Sequence, residues 1–177
     1  MGNRANNLRT LHQLDQHQAV MHGAAVVAAS SAVTNTTTET AFDQTYRIPG
    51  KTLRAGSRIH IITQGIATAT NSTDTLQIKL ELGTTAIVTT AAVDVADSDI
   101  WAIECWIQIR TAGASGTMVA VASYQDPDAA GTAPKWVNLA STAIDTDAAI
   151  TVQTSAIWSV ASTANSCRQD VLIVEVT

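Results

Sequence analysis

Four histidines, two cysteines and fifteen acidic side chains are the residues from which this 177-residue chain would build a reactive or metal-binding centre. His12, His17 and His22 recur every five residues. Five residues turn a helix through about 500°, so the three rings spread around it and one chain cannot close them on a metal. One such ring per chain, gathered around a threefold axis, is the arrangement left open. Asp94, Asp97 and Asp99 in DVADSD form a loose set of oxygen ligands. They lack both the ligand spacing and the turn glycine of a calcium loop. Asp126 with Asp128, and Asp145 with Asp147, are similar pairs and read as solvated loop acids. His60, the only histidine outside the first 22 residues, falls mid-strand near Arg58 on an outward face. No G-x-S-x-G, H-E-x-x-H, P-loop or G-x-G-x-x-G motif occurs. Nothing pairs two loop carboxylates as a glycosidase requires. The expectation is therefore a protein without catalytic, metal or cofactor residues.

Cys105 and Cys167 sit inside two strands. A bridge between facing strands is open on geometry, but two buried free thiols acting as small hydrophobes is the favoured reading. Of the four tryptophans, Trp101 and Trp158 read as core. Trp106 falls on the polar face of its strand, beside Glu104 and Gln108, and Trp136 lies at a loop edge. Exposed aromatics serve a subunit contact or a sugar platform, and the contact is the favoured reading.

The elements that place these residues are strands. Tyr46 to Gly83 reads as a short extended piece, a Pro49-Gly50 turn, a second turn at Ala55-Gly56-Ser57, and two long strands. Ile59, Ile61 and Thr63 face one way, His60, Ile62 and Gln64 the other. Leu76, Ile78, Leu80 and Leu82 alternate with Gln77, Lys79 and Glu81. This period of two marks a half-buried strand. Later strands are expected over Ile100–Arg110, Thr117–Tyr124, Trp136–Thr142, Ile150–Trp158 and Arg168–Val176, and an earlier one over Ala41–Ile48. About nine strands separated by turn signals point to an all-β antiparallel sandwich of jelly-roll type.

Composition agrees. Hydrophobic residues make up 46% and charged residues 14%, with Ala, Val, Ile, Thr and Ser prominent, which favours sheets. The net charge of −5 and the scattered basic residues argue against nucleic-acid binding. No apolar run approaches the roughly 20 residues of a membrane span. His22 and Gly23 interrupt the apolar run Ala19–Val33, so no secretion signal is expected and assembly in the cytosol follows.

Residues 1–39 differ from the rest. Asn6-Asn7 offers a helix cap, and Leu8, Leu11 and Leu14 follow at helical spacing towards His22. A helix this short does not stand alone in water, so it needs a partner surface. Ala24 to Val33 is either an extended arm or more helix, and Asn35–Thr38 is a linker. The expected organisation is an N-terminal arm over 1–39 and a β-sandwich over 40–177.

The turn and strand sequences carry a resemblance. YRIPGKTLRAGSRIHI (46–61), TLQIKLELGTT (75–85), IQIRTAGASGTM (107–118) and CRQDVLIVEV (167–176) resemble structural proteins of tailed bacteriophages. In these an IPxxTLxxG segment opens a jelly-roll sandwich. The resemblance implies a virion surface protein, a capsid decoration (cement) protein made in the host cytoplasm. It implies a homotrimer that binds the major capsid protein, with head-fibre or tail-tip modules binding host glycans as the alternative. Leu8, Leu11, Leu14, Val20 and Met21 of the arm, with Trp106 and Trp136, are the expected partner-binding residues.

Overall fold

The computed structural model describes residues 24–25, 28–71, 73–127 and 134–177. Alternating sequence becomes alternating burial along most of the long strands. Among the described residues there are twelve strands and no helix: β1 (Ala24–Ala25), β2 (Thr40–Ala41), β3 (Tyr46–Ile48), β4 (Arg58–Thr68), β5 (Thr75–Leu82), β6 (Thr85–Thr89), β7 (Val93–Asp94), β8 (Asp99–Thr111), β9 (Gly116–Gln125), β10 (Lys135–Ile144), β11 (Ile150–Trp158) and β12 (Ser166–Val176). They form two antiparallel sheets. The larger has the order β1-β12-β4-β8-β9-β10; the smaller runs β2-β11-β5-β6, with β3 also on β11 and β7 also on β5. The chain crosses between sheets at β1–β2, β3–β4, β4–β5, β7–β8, β10–β11 and β11–β12, so many neighbours in sequence lie in opposite sheets.

The inner faces meet as a β-sandwich. Ile59, Ile61, Ile103, Ile107, Ile109 and Met118 come from the large sheet, and Leu76, Ile78, Leu80, Val152 and Trp158 from the small one. Trp101 and Trp158 are fully buried, as their strand parity requires. One polar group is built into this layer. Gln169 donates through Nε2 to Thr63 Oγ1 at 2.7 Å and Thr154 Oγ1 at 3.3 Å, linking β12, β4 and β11. Only the register that brings these three together gives the buried Nε2 its acceptors, since a buried donor without a partner is costly; the Oε1 of the same amide is buried without a hydrogen-bond partner.

Three local expectations are corrected. The strand over Ala41–Ile48 is broken into β2 and β3, both on β11. Between Ala41 and Tyr46 the chain advances five residues while β11 advances three, from Ser155 to Val152. The extra length turns Phe42 into the core, where it stacks on Trp101 with ring centroids 5.7 Å apart. At the Pro49-Gly50 turn the positive φ falls on Lys51, at 66°, and not on the glycine. Gly50 is needed for space: a Cβ there would lie 2.3 Å from the Asp147 carbonyl oxygen. The Trp136–Thr142 strand is longer, ten residues with a register shift between Leu139 and Thr142.

Part of the Ala24–Val33 segment is extended. Ala24 and Ala25 pair with Val174 and Ile173 of β12. Further along, Ser30 N–H donates to Gln169 O, and Val33 exchanges backbone hydrogen bonds with Cys167. Trp158 Nε1 donates to the Val33 carbonyl at 3.1 Å. Val33 is itself core, so residues 30–33 are tied to the sandwich by packing as well as by hydrogen bonds.

Cys105 and Cys167 are both free and buried. Desolvation pushes the Cys105 thiol up to about 12, and Cys167 is raised as well, with burial again the largest cause. Both stay neutral in the fold at pH values where an unfolded thiol ionises. The unfolded chain then binds fewer protons, so stability falls as pH rises above the ordinary thiol value of 9.0. Thiol titration should find neither cysteine reactive in native protein at pH 8, and both reactive in denaturant. Rapid native labelling would contradict this burial.

Candidate binding face

The large sheet turns one face to the core and the other to solvent. On the outer face, strand register sets Glu175, His60, Trp106, Val121 and Asn138 in one row across β12, β4, β8, β9 and β10. The next row holds Ile173, Ile62, Glu104, Ser123 and Trp136. Trp106 and Trp136 are 52% and 75% exposed. Ile100 and Val121, at 59% and 43%, are also on this face, so four of the five large exposed hydrophobics among the described residues share it.

His60 is the organising side chain. Its ring lies flat on the Trp106 indole, centroids 3.6 Å apart and planes within 6°. Its Nε2 is 3.0 Å from Glu104 Oε1, and its Nδ1 is 3.3 Å from Glu175 Oε2. The two nitrogens are therefore engaged on opposite sides, on β8 and β12. No lone pair converges with the carboxylates on a common point, and the arrangement fixes the Trp106 ring rather than offering a chelate. Two depressions flank the Glu104–Trp106 pair. One, of about 370 Å³, is lined by Arg58, Trp106, Gln108, Arg110, Val119 and Val121. The other, of about 210 Å³, is lined by Ile62, Gln64, Ala102, Glu104, Ser123 and Gln125 among others. The face thus offers fixed aromatic surface, a cationic end at Arg58 and Arg110, and amide, hydroxyl and carboxylate groups between.

Four of the acidic side chains are engaged locally. Asp99 accepts from Ala96 N–H at 2.7 Å, and Asp97 accepts from the hydroxyls of Thr68 and Ser98. Asp145 accepts from the backbone N–H groups of Asp147 and Ala148, as a turn cap. Asp126 is buried and paired with Lys135. Asp128 lies outside the described residues, as do His12, His17, His22 and the expected partner-binding residues Leu8, Leu11, Leu14, Val20 and Met21. Among the described residues no three His, Cys, Asp or Glu side chains gather as a metal site.

Ile100, Val121 and the His60–Trp106 stack escape the sequence reading. Ile100 shares the outward parity of Trp106 and is legible in hindsight. The His60–Trp106 stack is not, because their separation of 46 residues is closed only by the β4–β8 register. No protein-family model matches the sequence, and no curated protein matches it.

Proposed function

We propose that this chain is a structural protein of a tailed-bacteriophage virion, a capsid decoration (cement) protein of jelly-roll type. In this reading it assembles as a homotrimer. It grips the major capsid protein with its N-terminal arm and with the sandwich, and so resists the outward pressure of packaged DNA. The observation that carries the reading is the concentration of exposed Ile100, Trp106, Val121 and Trp136 on one face of a charge-poor sandwich. Such a face is suited to burial against another protein, since contiguous apolar patches mark interaction sites and aromatic anchors supply much of the contact energy. The strand and turn sequences of residues 46–83, 107–118 and 167–176 support the phage assignment. Many weak copies around a particle add up through avidity.

The test is retention on expanded heads assembled without the protein. Removal of residues 2–23 leaves every described contact of the sandwich in place, whereas a cut at residue 33 would also remove core residue Val33 and the strand on β12. The full chain should co-sediment with heads. The 2–23 deletion, and separately the Trp106→Ala/Trp136→Ala pair, should each lose at least about tenfold in affinity. Failure of the full chain to bind heads would end the proposal.

A second reading has its own observation. Gln64, Glu104, Ser123 and Gln125 line the smaller depression, and Trp136 pairs in register with Ser123 at its side. Aromatic platform and hydrogen-bonding groups are the equipment of a sugar site, which fits a head-fibre or tail-tip module. A glycan array on which Trp136→Ala abolishes a specific signal would favour it.

A further inference from the structure

We propose that β10 is a self-association edge, at which two copies of this chain pair β10 antiparallel with β10 across a two-fold axis. The inference does not rest on the virion reading. It begins from the four sheet edges. Beyond β12 lie β1 and the hydrogen bonds of Ser30 and Val33. Both edges of the small sheet are cut into short pieces, β2 with β3 and β6 with β7. Among the described residues, β10 alone is a long terminal strand, ten residues with only β9 beside it.

A free edge exposes a row of backbone donors and acceptors, and proteins that keep such an edge unpaired protect it with charge, proline or bulges. Protection of this kind is confined to the start of the strand, at Pro134-Lys135; from Trp136 to Ile144 there is neither a charged residue nor a proline. The one interruption is the register shift between Leu139 and Thr142. Both faces of the strand are open. Trp136, Asn138, Ala140, Ser141 and Ala143 are exposed, and inward-facing Val137 and Leu139 are only half-buried. The small sheet's β6 packs on β9, the strand beside β10.

Backbone chemistry makes the occupant an extended strand, and the sequence makes it a second β10. Place the two-fold axis between Leu139 and Ala140. Trp136 then opposes Ala143 of the second copy, and Val137 opposes Thr142. Register with β9 puts Trp136 and Ala143 on the outer face, paired to Ser123 and Thr117, and Thr142 on the inner face beside Met118. The faces therefore match. A large side chain meets a small one, Asn138 meets Ser141, and no like charges meet. The irregular segment falls on the axis, so the regular halves 135–139 and 142–144 oppose each other. This is the self-complementarity of an isologous contact.

The test reads molar mass by light scattering across the micromolar to sub-millimolar range, using the full chain. Asn138→Asp/Ser141→Asp sets acids against acids across the axis, and Asn138→Lys/Ser141→Lys sets bases against bases. Each should weaken the two-fold contact at least about tenfold, and an equimolar mixture should restore it between unlike copies, whatever other contact the chain makes. Unchanged circular dichroism and melting would show that both variants fold. Trp136→Ala should weaken the contact by a similar factor. Three results overturn the proposal: a wild-type chain that stays monomeric throughout, variants with unaltered mass, or a lost mass that mixing fails to restore. Failure to bind heads with the two-fold contact intact would count against the decoration reading alone.

Discussion

Gly65→Ala should be the most damaging single methyl group that can be added to this protein, lowering stability by about 4 kcal/mol or more. Gly65 lies mid-strand in β4, between Trp101 of β8 and Gln169 of β12. A Cβ there would stand 2.0 Å from the Arg168 carbonyl oxygen and 2.6 Å from Trp101 Cζ2. Neither neighbour can retreat cheaply. Trp101 is backed by Phe42, and the carbonyl belongs to the β12 backbone just before its register shift between Gln169 and Val171. Glycine inside a strand often marks such a close approach of backbones, and a nearby bulge bends the partner strand towards it. For a domain of this size the melting temperature should fall by about 8–16 °C. Trimming the tryptophan in a Gly65→Ala/Trp101→Leu double variant should not restore stability, because the clash with the Arg168 carbonyl remains. A loss below about 1 kcal/mol in urea unfolding would show that the strands separate easily here.

Trp101→Ala should cost about 3–5 kcal/mol, the range for emptying a large aromatic site in a packed core. Trp101 has no solvent exposure and stacks on Phe42 within 9° of parallel. Its loss also removes the support of the segment joining β2 to β3, so amide exchange should quicken from Ala41 to Tyr46 before the sandwich unfolds. Trp106→Ala, five residues along the same strand and on the opposite face, should cost about 1 kcal/mol or less, since it removes only surface contacts with His60. Equal losses at the two positions would contradict the assigned strand parity.

That parity was legible residue by residue. Ile59, Ile61 and Thr63, the Leu76–Leu82 ladder, and the split of Trp101 from Trp106 all follow from a period of two, because strand geometry sends successive side chains to opposite faces. Turn chemistry was legible at Ala55-Gly56-Ser57, where Gly56 takes φ 93°. The turn at Pro49-Gly50 was legible too, but not the role of its glycine, because what selects Gly50 is a carbonyl from residue 147, almost a hundred positions away. The break in the Ala41–Ile48 strand, which turns Phe42 into the core, was not legible for a related reason. A local strand pattern does not reveal that the partner strand is two residues shorter over the same stretch. The length of β10 was underestimated because a strand exposed on both faces has little hydrophobic alternation to announce it.

Alternation, breakers and composition in the sequence determined the all-β fold of the described residues, the two faces of most long strands, and which tryptophans are inside. Strand order and register belonged to the tertiary structure alone. They decide that His60 lies on Trp106, that Gln169 finds Thr63 and Thr154, and that β10 is left at an open edge. A strand's own residues say which way its side chains point, but backbone pairing is nearly blind to side-chain identity. Its neighbours are therefore chosen by the packing of the whole sandwich.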